Sequence, residues 1–215
     1  MTEFVDIESV KKAKSGLLEP WHWLNDRASL TDKLEAVSGS SLQVSILKTG
    51  CEYLSSYWFD VEYIDKSFES GYKLKQYLKK SKVAHEVWPL LSISGKTRVF
   101  KREVLLSIDN IPWVYARTFA PVALLKNRKK RLNLLGNRSI GRFILQADAI
   151  PRVQLVPIRM RAKHLSSMGK DRSQKYDNKG GLVGRRSHYD WQGCPLYIDE
   201  LFLSTCPFFA NYYNQ

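Results

Sequence analysis

Two runs of strict alternation constrain this chain more than any other feature. From Phe100 through Arg102, Val104, Leu106 and Ile108, every second residue is apolar except Arg102. Asp109-Asn110-Ile111-Pro112 is turn chemistry, and Trp113 to Ala120 is a second strand-like run. Residues 99–120 therefore read as an antiparallel hairpin. Near the C-terminus, Leu196, Ile198, Glu200 and Phe202 repeat the pattern, with Glu200 as the exception. Side chains alternate across a strand, so Arg102 and Glu200 should project with the core side. Lys101, Glu103 and Ser107 belong to the opposite face.

A lone buried charge costs several kcal/mol, roughly, so each of the two needs a partner. Two readings follow from the pattern. In one, Arg102 and Glu200 pair as an internal salt bridge, or a bulge shifts the phase. In the other, they face an interior polar cavity where Arg102 grips a carboxylate bidentately and Glu200 meets a hydroxyl or a proton in transit. Arg117 shares a phase with Trp113, Tyr115 and Phe119 and is a third candidate on the same argument.

The remaining segments fit around this frame. Ser29 reads as the N-cap of a short helix over Leu30–Val37, with Asp32 in its first turn and Ser38-Gly39 as the stop. Leu42, Val44 and Ile46 alternate with polar residues as a half-buried strand. A helical stretch, interrupted or capped near Gly136 and Gly141, follows the hairpin, and extended segments are expected near 143–160, 182–191 and 195–203. Residues 50–85 read as a peripheral elaboration with helical spacing around Leu74, Tyr77 and Leu78. Residues 163–181 read as a long mobile loop. The expected fold is α+β, an antiparallel β-sheet with helices over one face, in a single domain spanning residues 1–215.

The formal charge of +13 invites the question of partners. Its excess is local: Lys126–Arg142 holds seven basic residues and no acids, and Arg159–Arg186 holds nine against Asp171 and Asp177. The remainder of the chain is nearly neutral. Such stretches suit nucleic acid, a basic mouth for a dianionic metabolite, or peripheral contact with an anionic membrane. For Lys126–Arg131 the default is a solvated face without a partner. No run approaches the roughly 18 apolar residues of a membrane span. Met1–Asp6 lacks a basic segment leading into an apolar one, so a soluble, cytoplasmic protein is expected. Cys51, Cys194 and Cys206 show no paired spacing and read as buried small hydrophobes.

Several familiar chemistries are poorly supported. Gly136–Gly141 has P-loop spacing, but Arg142-Phe143 stands where Lys-Ser/Thr is required. His22, His85, His164 and His188 have no metal-ligand spacing. No Gly-X-Ser-X-Gly elbow is present.

The ordered blocks resemble the chorismate–pyruvate lyases that open ubiquinone synthesis in bacteria. They are Trp23-Leu24, Ser29-Leu30-Thr31, Arg102-Glu103-Val104-Leu105-Leu106, Pro112-Trp113, Ala116-Arg117-Thr118 and Pro121. Leu135-Gly136, Gly141-Arg142, Gly184-Arg185-Arg186-Ser187, Gly193-Cys194-Pro195-Leu196, Glu200-Leu201-Phe202-Leu203 and Pro207 complete the set. The resemblance implies a cofactor-free, monomeric lyase that converts chorismate to 4-hydroxybenzoate and pyruvate, with the site enclosed between sheet and helical flaps. The family's carboxylate-binding arginine falls on Arg102 and its hydroxyl-contacting glutamate on Glu200. Two further ligand-contacting positions fall on Leu30 and Ile140, where relatives more often carry Met and Leu. Val183 replaces an aromatic residue and Ser139 replaces a proline. A non-catalytic aromatic-acid sensor of the same fold is the alternative; a basic nucleic-acid-binding protein is the rival from another class.

Overall fold

The computed structural model describes residues 20–53, 61–64, 97–125, 128–146, 150–161 and 181–213. Seven strands form one antiparallel sheet. In chain order they are β1 (Leu42–Tyr53), β2 (Val61–Tyr63), β3 (Arg98–Ile108), β4 (Ile111–Pro121), β5 (Arg152–Met160), β6 (Leu182–Trp191) and β7 (Cys194–Phe202), arranged in space as β1-β3-β4-β7-β6-β5-β2. Among the described residues, six short helices accompany them: α1 (Pro20–Asn25), α2 (Leu30–Ser38), α3 (Val122–Leu125), α4 (Arg128–Asn133), α5 (Ile140–Gln146) and α6 (Pro207–Tyr213). The fold is α+β.

Local chemistry explains the central elements. Asp109 and Asn110 both take positive φ, 49° and 64°, the two-residue turn that matches strand twist in a tight hairpin. Ser29 Oγ accepts from the Asp32 amide at 3.3 Å, and Gly39 closes α2 at φ 73° with its amide on the Glu35 carbonyl at 2.8 Å. Bulges interrupt the β1–β3 ladder between Ile46 and Lys48 and the β3–β4 ladder between Leu106 and Ser107. In both the extra residue lies on the partner strand, Leu47 on β1 and Trp113 on β4, so β3 itself runs unbroken and the phase that assigns Arg102 its face holds.

The described helices share one face of the sheet. Trp23, Leu34 and Phe209 pack with Val104, Ala116 and Phe202; Leu125, Leu132 and Ile144 pack with Phe100, Leu196 and Ile198. The other face carries its own cluster, including Leu105, Tyr115, Ile158 and Leu201.

Three sequence readings need correction or limits. Residues 143–146, read as extended, belong to α5, and the strand begins only at Arg152. The run Phe143-Ile144-Leu145 is apolar without a period, which suits a buried strand and a buried helical turn equally. Lys101 and Glu103, on the face opposite Arg102, are buried and bonded at 2.9 Å. Of the 50–85 elaboration, β1 takes residues through Tyr53, and β2 pairs with β5. The helical spacing at Leu74–Leu78 and the 163–180 part of the loop lie outside the described residues.

Candidate functional site

The ladder registers place the two phase exceptions on one surface. Arg102 is opposite Thr118, which is opposite Ile198; one step along, Val104, Ala116, Glu200 and Arg185 form the next row. Strands lie about 4.8 Å apart, so β3 and β7 are roughly 10 Å apart with β4 between them. That separation leaves Arg102 and Glu200 facing the same space without touching.

The space is a narrow cavity between the sheet and the N-terminal end of α5. Arg102, Thr118, Ile198 and Glu200 form its floor, and Ser139 and Ile140 line it from the helical side. The space is tight as it stands, with room for about one water molecule, so a ring-sized ligand needs the helical roof to lift. Leu30 is not among its lining side chains. It packs in the apolar cluster with Val104, Leu106 and Ala116, because the first residue of α2 turns into the core. An outer groove between α2, β1 and α5 shares Ser139 with the cavity.

The two charges have different company. Arg102 is 4% exposed, and one Nη donates to the carbonyls of Gly136 at 2.7 Å and Arg138 at 3.1 Å. Among the described residues it meets no carboxylate. Burial draws the guanidinium down from the usual arginine value, yet an arginine side chain remains protonated. A charge held only by neutral dipoles beside a cavity is poised for an anion. Glu200, its side chain 13% exposed, accepts from Arg185 Nε at 2.6 Å. The internal Arg102–Glu200 salt bridge is therefore not formed.

Arg117 faces away from the cavity. It is wholly buried on the other side of the sheet, with Nε 2.5 Å from Asp199 Oδ2. Arg186 completes that cluster, donating from Nε to Asp199 Oδ1 at 2.6 Å and from Nη2 to Oδ2 at 2.8 Å. Burial works against the Asp199 carboxylate, but Arg186 and Arg117 outweigh it and hold its pKa below the usual carboxylate range.

The helices over the cavity are clasped to each other. The Thr31 and Ser139 hydroxyls share a buried hydrogen bond of 2.7 Å. Arg142 on α5 reaches two carboxylates of α2, Asp32 at 3.0 Å and Glu35.

Comparison with known proteins now decides the family. The profile described as chorismate lyase matches residues 82–213. The chain belongs to the chorismate lyase family. It is 31% identical over 107 residues to the probable chorismate pyruvate-lyase of Shewanella sp. (strain MR-4), covering 49% of this chain and 55% of that relative. It is 32% identical over 124 residues to the chorismate pyruvate-lyase of Escherichia coli (strain K12 / DH10B), covering 58% of this chain and 62% of that one. The matched segment thus spans less than two thirds of either relative. Among solved structures, PhnF from Mycobacterium smegmatis superposes with a TM-score of 0.47 at 14% identity, over 83% of this chain and 65% of that one.

Sequence reasoning in this chorismate lyase family member missed Arg185 as the partner of Glu200. The Gln192-Gly193 turn held the signal. A two-residue hairpin closed by Trp191 and Cys194 puts Arg185 directly opposite Glu200.

Proposed function

We propose that this protein is a chorismate–pyruvate lyase that forms 4-hydroxybenzoate, the aromatic precursor for ubiquinone, without a cofactor. The observation that carries the reading is the buried Arg102 guanidinium, bonded among the described residues only to backbone carbonyls, beside a cavity shared with Glu200. Arg102 anchors the ring carboxylate of chorismate. Glu200 accepts the hydrogen bond of the ring hydroxyl, and Ile140 presses on the ring from the helical side, with Leu30 supporting the wall behind.

The reaction needs little more from the protein. The bond between the ring carbon and the ether oxygen breaks, and its electron pair leaves on the enolpyruvate. The neighbouring ring carbon loses its proton, the ring becomes aromatic, and a proton added to the enolpyruvate methylene completes pyruvate. Aromatisation supplies the driving force. The site's task is to hold the anion, orient the breaking bonds and exclude water. The clasped helices must part to admit chorismate and release the product, so opening sets the pace of turnover.

The test is to incubate the purified protein with chorismate and follow pyruvate and 4-hydroxybenzoate together. Equal, protein-dependent formation of both is expected. Tight 4-hydroxybenzoate binding without turnover would replace the lyase with an aromatic-acid sensor, and neither turnover nor binding would remove Arg102 and Glu200 as a ligand site.

A further inference from the structure

Glu200 is fixed by a residue outside the cavity. Arg185 Nε donates to Glu200 Oε2 at 2.6 Å across the β6–β7 ladder. Nη1 of the same guanidinium donates to the carbonyls of Trp23, at 3.3 Å, and Asp26, at 2.5 Å. Those carbonyls belong to α1 and to the segment leading into Leu30. Arg185 is 1% exposed and does not line the cavity. One buried guanidinium therefore ties the carboxylate on the sheet to the chain segment above it.

We infer that Arg185 is a positioning residue for the candidate site: it holds Oε2 of Glu200 back and leaves Oε1 to accept a ligand hydroxyl. Preference for a hydroxylated aromatic acid over its unsubstituted analogue then depends on a side chain that never touches the ligand. This rests on the reading of Arg102 as carboxylate anchor and Glu200 as hydroxyl acceptor.

Three features support the assignment. First, a planar guanidinium can bind a carboxylate on one edge and carbonyls on another, which a lysine ammonium on a flexible stem does not reproduce. Second, Arg186 cannot stand in, because strand alternation sends it to the opposite face, where Asp199 occupies it. Third, β6 lies close against β7 at this point. A Cβ on Gly184 would fall 2.0 Å from the Glu200 carbonyl oxygen, so only glycine permits the approach.

The experiment compares dissociation constants of 4-hydroxybenzoate and benzoate by titration calorimetry. Wild type should prefer 4-hydroxybenzoate at least tenfold. Glu200→Ala should abolish that preference, and Arg185→Met should match it, with benzoate affinity within about twofold of wild type. Arg185→Lys, a gentler change should the methionine variant fail to fold, should also lose most of the preference. Parallel loss of both ligands in the Arg185 variants would mean a merely structural role and overturn the inference, as would an unchanged preference. Wild-type protein binding the two acids equally would defeat the reading of Glu200 itself, and the inference with it.

Discussion

Arg102 on β3 and Arg117 on β4 sit within one sheet, both buried, and they are held in opposite ways. Arg117 meets Asp199 at 2.5 Å in a cluster closed by Arg186. Among the described residues, Arg102 meets only the carbonyls of Gly136 and Arg138. One guanidinium has its counterion inside the fold. The other is balanced by dipoles and opens on a cavity. Burial of a charge therefore does not by itself mark a binding site; the proposal for Arg102 rests on a buried charge that neutral dipoles hold beside a cavity. Strand phase flagged both arginines, and only their partners separate them.

The sharpest way to break the contrast is Asp199→Asn. It leaves Arg117 and Arg186 buried against a neutral amide, and breaking a buried pair in this way costs about 3–5 kcal/mol. Denaturant unfolding should show that loss, and wild-type stability would mean the cluster is not a structural tie. Because the folded Asp199 pKa lies below its unfolded value, its contribution is complete above the ordinary carboxylate range. It fades as pH falls through the lowered folded value. Asp199→Asn should accordingly flatten part of the acid limb of a stability–pH curve.

Arg102→Met should do the reverse. Removing a buried charge that has no carboxylate partner leaves folding stability equal to wild type or higher. Affinity for 4-hydroxybenzoate should fall at least tenfold, about 1.4 kcal/mol. Melting curves and titration calorimetry on the same preparation check both halves. A destabilised variant with unchanged affinity would put Arg102 in the same class as Arg117.

The alternation that revealed Arg102 also shows the limit of sequence. Period-two patterning says which residues share a face, not whether the second face is covered. Alternation puts Lys101 and Glu103 on the face opposite Arg102 but does not say that this face is covered too, with both residues buried and bonded to each other. The hairpin turn at Asp109-Asn110 and the caps of α2 were legible because their chemistry is local. Asp199 was not, because its role depends on β4 lying beside β7, a pairing of segments some 80 residues apart that no short pattern encodes. The cavity roof was obscured for the same reason. The contact between Thr31 and Ser139 joins residues 108 positions apart.

That contact supports the smallest and most local prediction. The Ser139 hydroxyl makes a bond to Thr31 that a residue without a side-chain donor or acceptor would lack. Ser139→Ala removes it and leaves the buried Thr31 hydroxyl without that partner, costing about 1 kcal/mol. The neighbouring Arg142 pairs remain, but their side chains are partly exposed and screened, so they compensate little. The lost energy belongs to the closed arrangement of α2 and α5, not to the sheet or to Arg102. Stopped-flow displacement should therefore show 4-hydroxybenzoate leaving several-fold faster, with its association rate nearly unchanged. An unaltered dissociation rate would mean that release does not require α2 and α5 to part. The contrast would then rest on Arg102 and its cavity alone, with the clasp above them serving only to hold two helices together.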